Sequence, residues 1–229
     1  IEMTSSPRVI AEVKRASPSR GVLRKNDPVV QWDPAHLACS YEQGGAAALS
    51  VLTDIHFFWG HPDAIMAIKE VCALPILRKD FIIDVYQVDE SRWLGADAIL
   101  LIARILTPQQ LRMFSARAAE LGMDVLVEVH NEEELSAACS ISHAMIGINN
   151  RDLDTLQIDV ARSSLIAKKI DARARCVVAE SGIDNADAMA QLMHENVNTF
   201  LIGEYLACHQ NPTQALQQLR NDAQCSTSG

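Results

Sequence analysis

Five short apolar runs in this chain each stop at an ionisable or amide side chain. IAEVK ends on Glu12 and Lys14, PILRK on Lys79, DVLVE on Glu128, MIGINNR on Asn149 and Arg151, and VVAE on Glu180. A charge that closes an otherwise buried segment is costly unless something there needs it. Repeated at segment after segment, the pattern points to parallel strands whose C-terminal ends share one site.

The rest of the chain supplies the matching rhythm. Candidate strands at Arg8–Lys14, Ala47–Leu52, Pro75–Lys79, Asp97–Ile102, Asp124–Glu128, Ala144–Ile148, Cys176–Glu180 and Asn198–Gly203 alternate with helical stretches. Asp33-Pro34, with Gly44 closing, marks the first helix. A second helix after His61-Pro62 carries Ile65, Ile68 and Val71 toward the core at helical spacing. Thr107-Pro108 and Asn131 open later helices, and Pro212 starts the last. About eight such units in one chain of this length match a closed TIM (β/α)8 barrel better than an open doubly wound sheet. No GxGxxG follows the first strand, which weakens the dinucleotide-binding alternative. We therefore expect residues 1–229 to form a single α/β catalytic barrel domain.

Composition narrows the partners. A formal net charge of −9 argues against a nucleic-acid or anionic-membrane surface. No stretch approaches the roughly 20 apolar residues that span a bilayer, and the first residues lack the basic lead of a signal peptide. Cys39, Cys72, Cys139, Cys176, Cys208 and Cys225 are far apart and form no CxxC or Cys/His spacing suited to zinc. These features are those of a cytoplasmic protein with reduced thiols and no bound metal.

Alternate side chains of a strand share a face, so Glu12 and Lys14 point the same way. At the C-terminal end of a barrel strand that direction is the catalytic mouth, with Lys79, Glu128, Asn149 and Glu180 at equivalent height. Two lysines and three glutamates in one dry pocket would shift each other's pKa values toward acid and base work. The competing reading is a ring of mutually neutralising salt bridges. A second constellation, Ser181-Gly182-Ile183 after the seventh strand and Gly203-Glu204 after the eighth, suits a phosphate. Ser17 and Ser19 could add hydroxyl donors. Glu204 is wrong for an anion pocket unless its side chain turns outward. Among the histidines, His56 is the one expected to reach the pocket, whereas His130 reads as part of a helix start. Phe57, Phe58 and Trp59 could stack on an aromatic ring or simply anchor a loop.

EVKRASPSRG, SVLTD, ILRKDFIID, ADAILLI, VEVHNEEEL, IGINNRDL, AESGI and FLIG, in this order, closely resemble indole-3-glycerol phosphate synthase of tryptophan biosynthesis. The resemblance implies a cofactor-free lyase acting on a small phosphosugar, 1-(o-carboxyphenylamino)-1-deoxyribulose 5-phosphate. It closes a pyrrole ring with loss of CO2 and water. It further implies Lys79 as general acid and Glu128 as general base, with Lys14 holding the anthranilate carboxylate. Glu12 and Glu180 would orient the lysines and sugar hydroxyls, and Asn149 and Arg151 would add polar contacts. Ser17, Gly182, Ile183, Gly203 and Glu204 would cradle the phosphate. A lysine of lowered pKa, produced by a low-dielectric pocket beside other cations, would suit the acid role.

Departures from the family pattern are expected to touch the mouth rather than the acid and base residues. The family usually has helices ahead of EVKRASPS that cover the barrel, whereas Ile1–Pro7 alone precede the first strand here. Ile55 and His56 stand after SVLTD where the family tends to have an acidic and then a basic residue. Val85 replaces the usual proline of FIIDPYQ, and KNDPVVQW lengthens the loop after Arg24. Two alternatives follow. Phosphoribosylanthranilate isomerase would need a cysteine or aspartate acid/base pair at strand ends, which this chain lacks. A lidless, inactive barrel could bind a phosphate ligand as a scaffold. The assembly is expected to be a monomer or homodimer.

Overall fold

The computed structural model describes residues 6–18, 20–23, 32–152, 155–171 and 175–227. Eight parallel strands close into a barrel: β1 Arg8–Val13, β2 Ala48–Leu52, β3 Ile76–Lys79, β4 Ala98–Ile102, β5 Asp124–Val129, β6 Met145–Asn149, β7 Val177–Glu180 and β8 Thr199–Ile202. Strand β1 pairs with both β2 and β8, so no edge is left open. The helices are α1 Pro34–Gln43, α2 Asp63–Lys69, α3 Val85–Leu94, α4 Pro108–Glu120, α5 Glu132–Cys139, α6 Ala161–Ala167, α7 Ala186–His194, α8 Glu204–Cys208 and α9 Pro212–Thr227. Ser19 and residues 24–31, including most of KNDPVVQW, lie outside the described residues.

Helix starts follow local chemistry. The Asp33 side chain accepts from the His36 amide at 3.0 Å, ahead of Pro34. Thr107 with Gln110 and Asp84 with Gln87 form reciprocal capping boxes. Val85 takes the first position of α3, where a proline would also fit because no helical N–H bond is needed there. Gly44 keeps a right-handed conformation, and the reversal falls one residue later at Gly45, φ +82°. Val71, expected in the core, is exposed because α2 ends at Lys69. The short α8 had no sequence forecast, nor had the two-residue ribbon pairing Ala16–Ser17 with Gly21–Val22.

Two apolar cores result. The larger lies between strands and helices, with Val9, Leu49, Ile65, Ile76, Ile99, Phe114, Ile146 and Phe200 almost fully buried. The smaller fills the barrel interior through Ile10, Leu77, Leu100, Leu126, Val178 and Leu201. Those residues form an apolar floor under the charged strand ends: Ile10, Leu77, Leu126 and Val178 each precede their strand's site residue by two positions, Leu201 stands beside Glu180 in register, and Leu100 stands beside Leu126.

Candidate active site

Above that floor a cavity of about 670 Å³ opens at the C-terminal end of the barrel. Its wall includes Glu12 from β1 and Lys14 just after it, Lys79 from β3, Glu128 from β5, Asn149 from β6 and Glu180 from β7. Ser17, Arg151, Ser181, Gly182, Ile183, Gly203 and Glu204 line it from the following loops. Strands β2, β4 and β8 contribute the apolar Leu52, Ile102 and Leu201. These thirteen residues inferred from sequence thus line one hollow. Among the described residues no group of three or more His, Cys, Asp or Glu side chains could hold a metal ion.

The charges are arranged as two linked sets. Lys14 Nζ lies 2.6 Å from Glu12 Oε1. Lys79 Nζ lies 3.3 Å from Glu128 Oε2 and 3.6 Å from Glu180 Oε2. Glu12, Glu128 and Glu180 are each 5% exposed or less, so water screens these contacts poorly. Burial alone would push Lys79 below its ordinary pKa. The neighbouring Glu128, Glu180 and Glu12 carboxylates outweigh burial and hold it above. The sequence-based expectation of a lowered lysine pKa is therefore corrected: carboxylates, not cations, are the nearer neighbours. Glu12 and Glu128 face the same burial cost, yet both are held below the usual carboxylate value, Glu12 by Lys14 and Lys79, Glu128 by Lys79 and His130.

Glu180 goes the other way. Burial, together with the Glu128 and Glu12 carboxylates, overrides Lys79 and pushes it up to about 8. Its Oε1 is buried without a hydrogen-bond partner among the described residues and packs against Gly147, where a Cβ would overlap the carboxyl. The glycine interrupting MIGIN is thus required by a close approach, not by a turn. A raised pKa contributes stability that is complete below the unfolded value of 4.5 and is lost as pH rises through about 8. Glu180→Gln cannot ionise, so its melting temperature relative to the natural chain should climb from pH 5 to about pH 8 and level off above. A difference independent of pH in thermal unfolding would contradict the assignment.

The loop after β7 is strained and pinned. Ser181 and Gly182 both adopt left-handed conformations, φ +63° and +75°. Asn150 holds them: its amide nitrogen donates to the Ser181 carbonyl at 3.0 Å, while its Oδ1 accepts from the Ser163 hydroxyl at 2.8 Å and the Ser163 N–H at 3.0 Å. The two asparagines of INNRD therefore split inward and outward, Asn149 to the cavity and Asn150 to the framework. A Cβ at Gly203 would overlap the Glu12 carboxylate.

Several expectations need revision. The Glu204 side chain does not turn outward. It lines the cavity with Oε1 2.6 Å from Arg20 Nε and Oε2 3.4 Å from the Arg151 guanidinium. His56 is exposed and not part of the cavity wall. Trp59 also stays outside, under the Arg15 guanidinium at 5.9 Å from its ring centre. Phe57 and Phe58 do line the cavity, joined by Phe81, whose ring meets Phe57 edge-on at 5.9 Å. Asp54 sets that turn by accepting from the Phe57 and Phe58 amides at 2.6 and 3.1 Å.

Arg20 and Phe81 carry no role in the sequence reading. Phe81 was legible as the aromatic of KDF. Arg20 was not, because its partner Glu204 lies on the far side of the barrel in sequence. His130 is buried behind Glu128, against its reading as an ordinary helix start.

Comparison with known proteins agrees with this geometry. The family model described as indole-3-glycerol phosphate synthase matches residues 2–219. Indole-3-glycerol phosphate synthase of Dechloromonas aromatica is 48% identical over 198 residues, covering 86% of this chain and 73% of that protein. The protein of the same name from Legionella pneumophila strain Lens is 45% identical over 222 residues, covering 97% and 84%. A crystal structure of KGPDC from Streptococcus mutans superposes with a TM-score of 0.70 at 11% identity, covering 95% of this chain and 97% of that one. It bears on the fold alone.

Proposed function

We propose a division of labour in the cavity from one premise: this chain belongs to the indole-3-glycerol phosphate synthase family. The chain is a carboxy-lyase that converts 1-(o-carboxyphenylamino)-1-deoxyribulose 5-phosphate to indole-3-glycerol phosphate, CO2 and water. The observation that carries the residue roles is Lys79, held by Glu128 and Glu180 over an apolar floor and facing the cavity.

The Lys79 ammonium protonates the ribulose carbonyl oxygen, and the ring carbon bearing the carboxylate attacks the carbonyl carbon. The bond to the carboxylate then breaks; CO2 leaves, and its electrons restore the aromatic ring. Lys14 holds that carboxylate out of conjugation before it departs and is placed to donate a proton to the hydroxyl that leaves as water. Glu128 removes the proton whose loss completes the pyrrole double bond. An acid with a raised pKa is a weaker donor, but Lys79 stays charged at neutral pH and ready to give its proton to an alkoxide as one forms. Glu180, largely neutral at pH 7, donates a hydrogen bond rather than adding a third negative charge.

Phosphate binding is supported at the loops after β7 and β8. Gly182, Ile183, Gly203 and Glu204 line the cavity there and offer backbone N–H groups to an anion, with the Ser17 hydroxyl on the same wall. Arg20, Glu204 and Arg151 carry one net positive charge between them, so Glu204 does not make that wall repulsive. The Phe57, Phe58 and Phe81 cluster offers a face for the anthranilate ring. No helix among the described residues is long and apolar enough to cross a membrane. A cytoplasmic location and a monomeric or homodimeric state complete the proposal.

Incubation with the synthetic substrate tests the function. Indole fluorescence should rise until substrate is consumed, with no metal or cofactor added. A folded preparation that leaves the substrate unchanged would favour a scaffold barrel instead.

A further inference from the structure

One buried ionisable side chain beside the cavity has no part in that scheme. His130 ends the segment after β5, with its side chain 5% exposed. On one side its backbone N–H donates to Glu134 Oε2 at 2.7 Å, and its ring Nδ1 lies 3.2 Å from the same oxygen. Glu134 is itself fixed: its Oε1 accepts from the Asn131 amide group at 2.9 Å, and its N–H donates back to Asn131 Oδ1 at 2.9 Å. On the other side, His130 Nε2 lies 3.5 Å from Glu128 Oε1 and has no hydrogen-bond partner among the described residues. The opposite oxygen, Glu128 Oε2, is the one that faces Lys79. An imidazole clamped on one nitrogen and aimed by the other at a reacting carboxyl is the arrangement that orients and charges such a group.

We propose that His130 is a positioning residue for the base: anchored by Glu134, it holds Glu128 Oε1 from behind and leaves Oε2 free to work beside Lys79. This rests on the reading of Glu128 as the base. With the Nδ1 proton directed at Glu134, Nε2 donates to Glu128 when the ring carries both protons. The groups facing the ring and its target are Glu134 on α5, Glu128 on β5, Lys79 on β3, Glu180 on β7 and Glu12 on β1, with the Asn149 amide of β6 hydrogen-bonded to Glu128. A cation at His130 favours the ionised form of Glu128, which is also the direction in which Glu128 is held. Removing it must raise the pH at which the base becomes available.

The test compares His130→Gln, His130→Ala and Glu134→Gln with the natural chain across pH. Both His130 variants should move the acidic limb of kcat upward by about one pH unit, a tenfold loss of rate below the limb. KM should stay within about twofold, since the ring touches no substrate. His130→Gln, whose amide can still donate, should recover kcat at high pH without restoring the limb. Glu134→Gln should shift the limb in the same direction by less, and it decides the matter if the His130 variants do not fold. A carbon-13 carboxyl titration of Glu128, assigned with Glu128→Gln, provides a readout independent of turnover. Should the natural chain make no indole-3-glycerol phosphate, the functional reading falls while that titration still judges the contact. An unmoved limb and an unmoved Glu128 titration in folded His130→Gln would overturn the proposal, as would a fall in kcat with the limb unchanged.

Discussion

Lys79→Ala should lower kcat by about a thousandfold, in the middle of the 10²–10⁴ range that a positioned acid contributes. KM should change far less, because the phosphate loops after β7 and β8 are separate from β3's end. The magnitude follows from the surroundings. Lys79 is the shared cation of two buried carboxyls, at 3.3 and 3.6 Å, and no water-exposed lysine can take its place. Its removal takes the main counter-charge from the Glu128 carboxylate beside an already largely protonated Glu180, which pushes the Glu128 carboxyl up. The variant thus loses its acid and weakens its base together. Lys79→Arg should not restore the rate, since a guanidinium is a far weaker proton donor. Single-turnover fluorescence measures the effect directly. Turnover within tenfold of the natural chain in Lys79→Ala would remove Lys79 from the acid role.

Glu128→Gln should lose about 10²–10³-fold in the rate of indole formation, by the same measure of acid–base contributions. Its more telling consequence concerns order. The proposed base acts after ring closure and decarboxylation, at the loss of water. Glu128→Gln should therefore release CO2 in a first turnover faster than fluorescence appears, with the undehydrated ring intermediate accumulating between. Lys79→Ala should show no such lag, because its block falls before either event. Rapid-quench measurement of CO2 against indole fluorescence separates the two. Equal slowing of CO2 and indole in Glu128→Gln would place that carboxylate at an earlier step.

The barrel was legible because its charged residues punctuate apolar strands. Glu12, Lys79, Glu128, Asn149 and Glu180 each close a run too hydrophobic to be a loop, and eight parallel strands bring such ends to one height. What escaped the sequence depended on distances across the mouth. The pairing of Arg20 with Glu204 joins loops at opposite ends of the chain. His130 looks like an unremarkable residue before a helix until α5 turns Glu134 back onto its ring. The direction of the Lys79 shift needed a count of carboxylates within reach, which spacing along the chain does not supply. Val71 failed for a simpler reason: the apolar period ran on after the helix had stopped.

The scaffold and synthase readings part over whether ammonium and carboxyl groups in the barrel mouth meet the reacting atoms. A crystal structure with the substrate's carbonyl reduced to an alcohol, so that it binds without turnover, examines this directly. The account predicts the phosphate between Gly182 and Gly203, the aromatic ring against Phe57 and Phe81, and the former carbonyl oxygen within hydrogen-bond reach of Lys79 Nζ. Phosphate bound elsewhere, or an oxygen far from Lys79 with the ring outside the cavity, would contradict it.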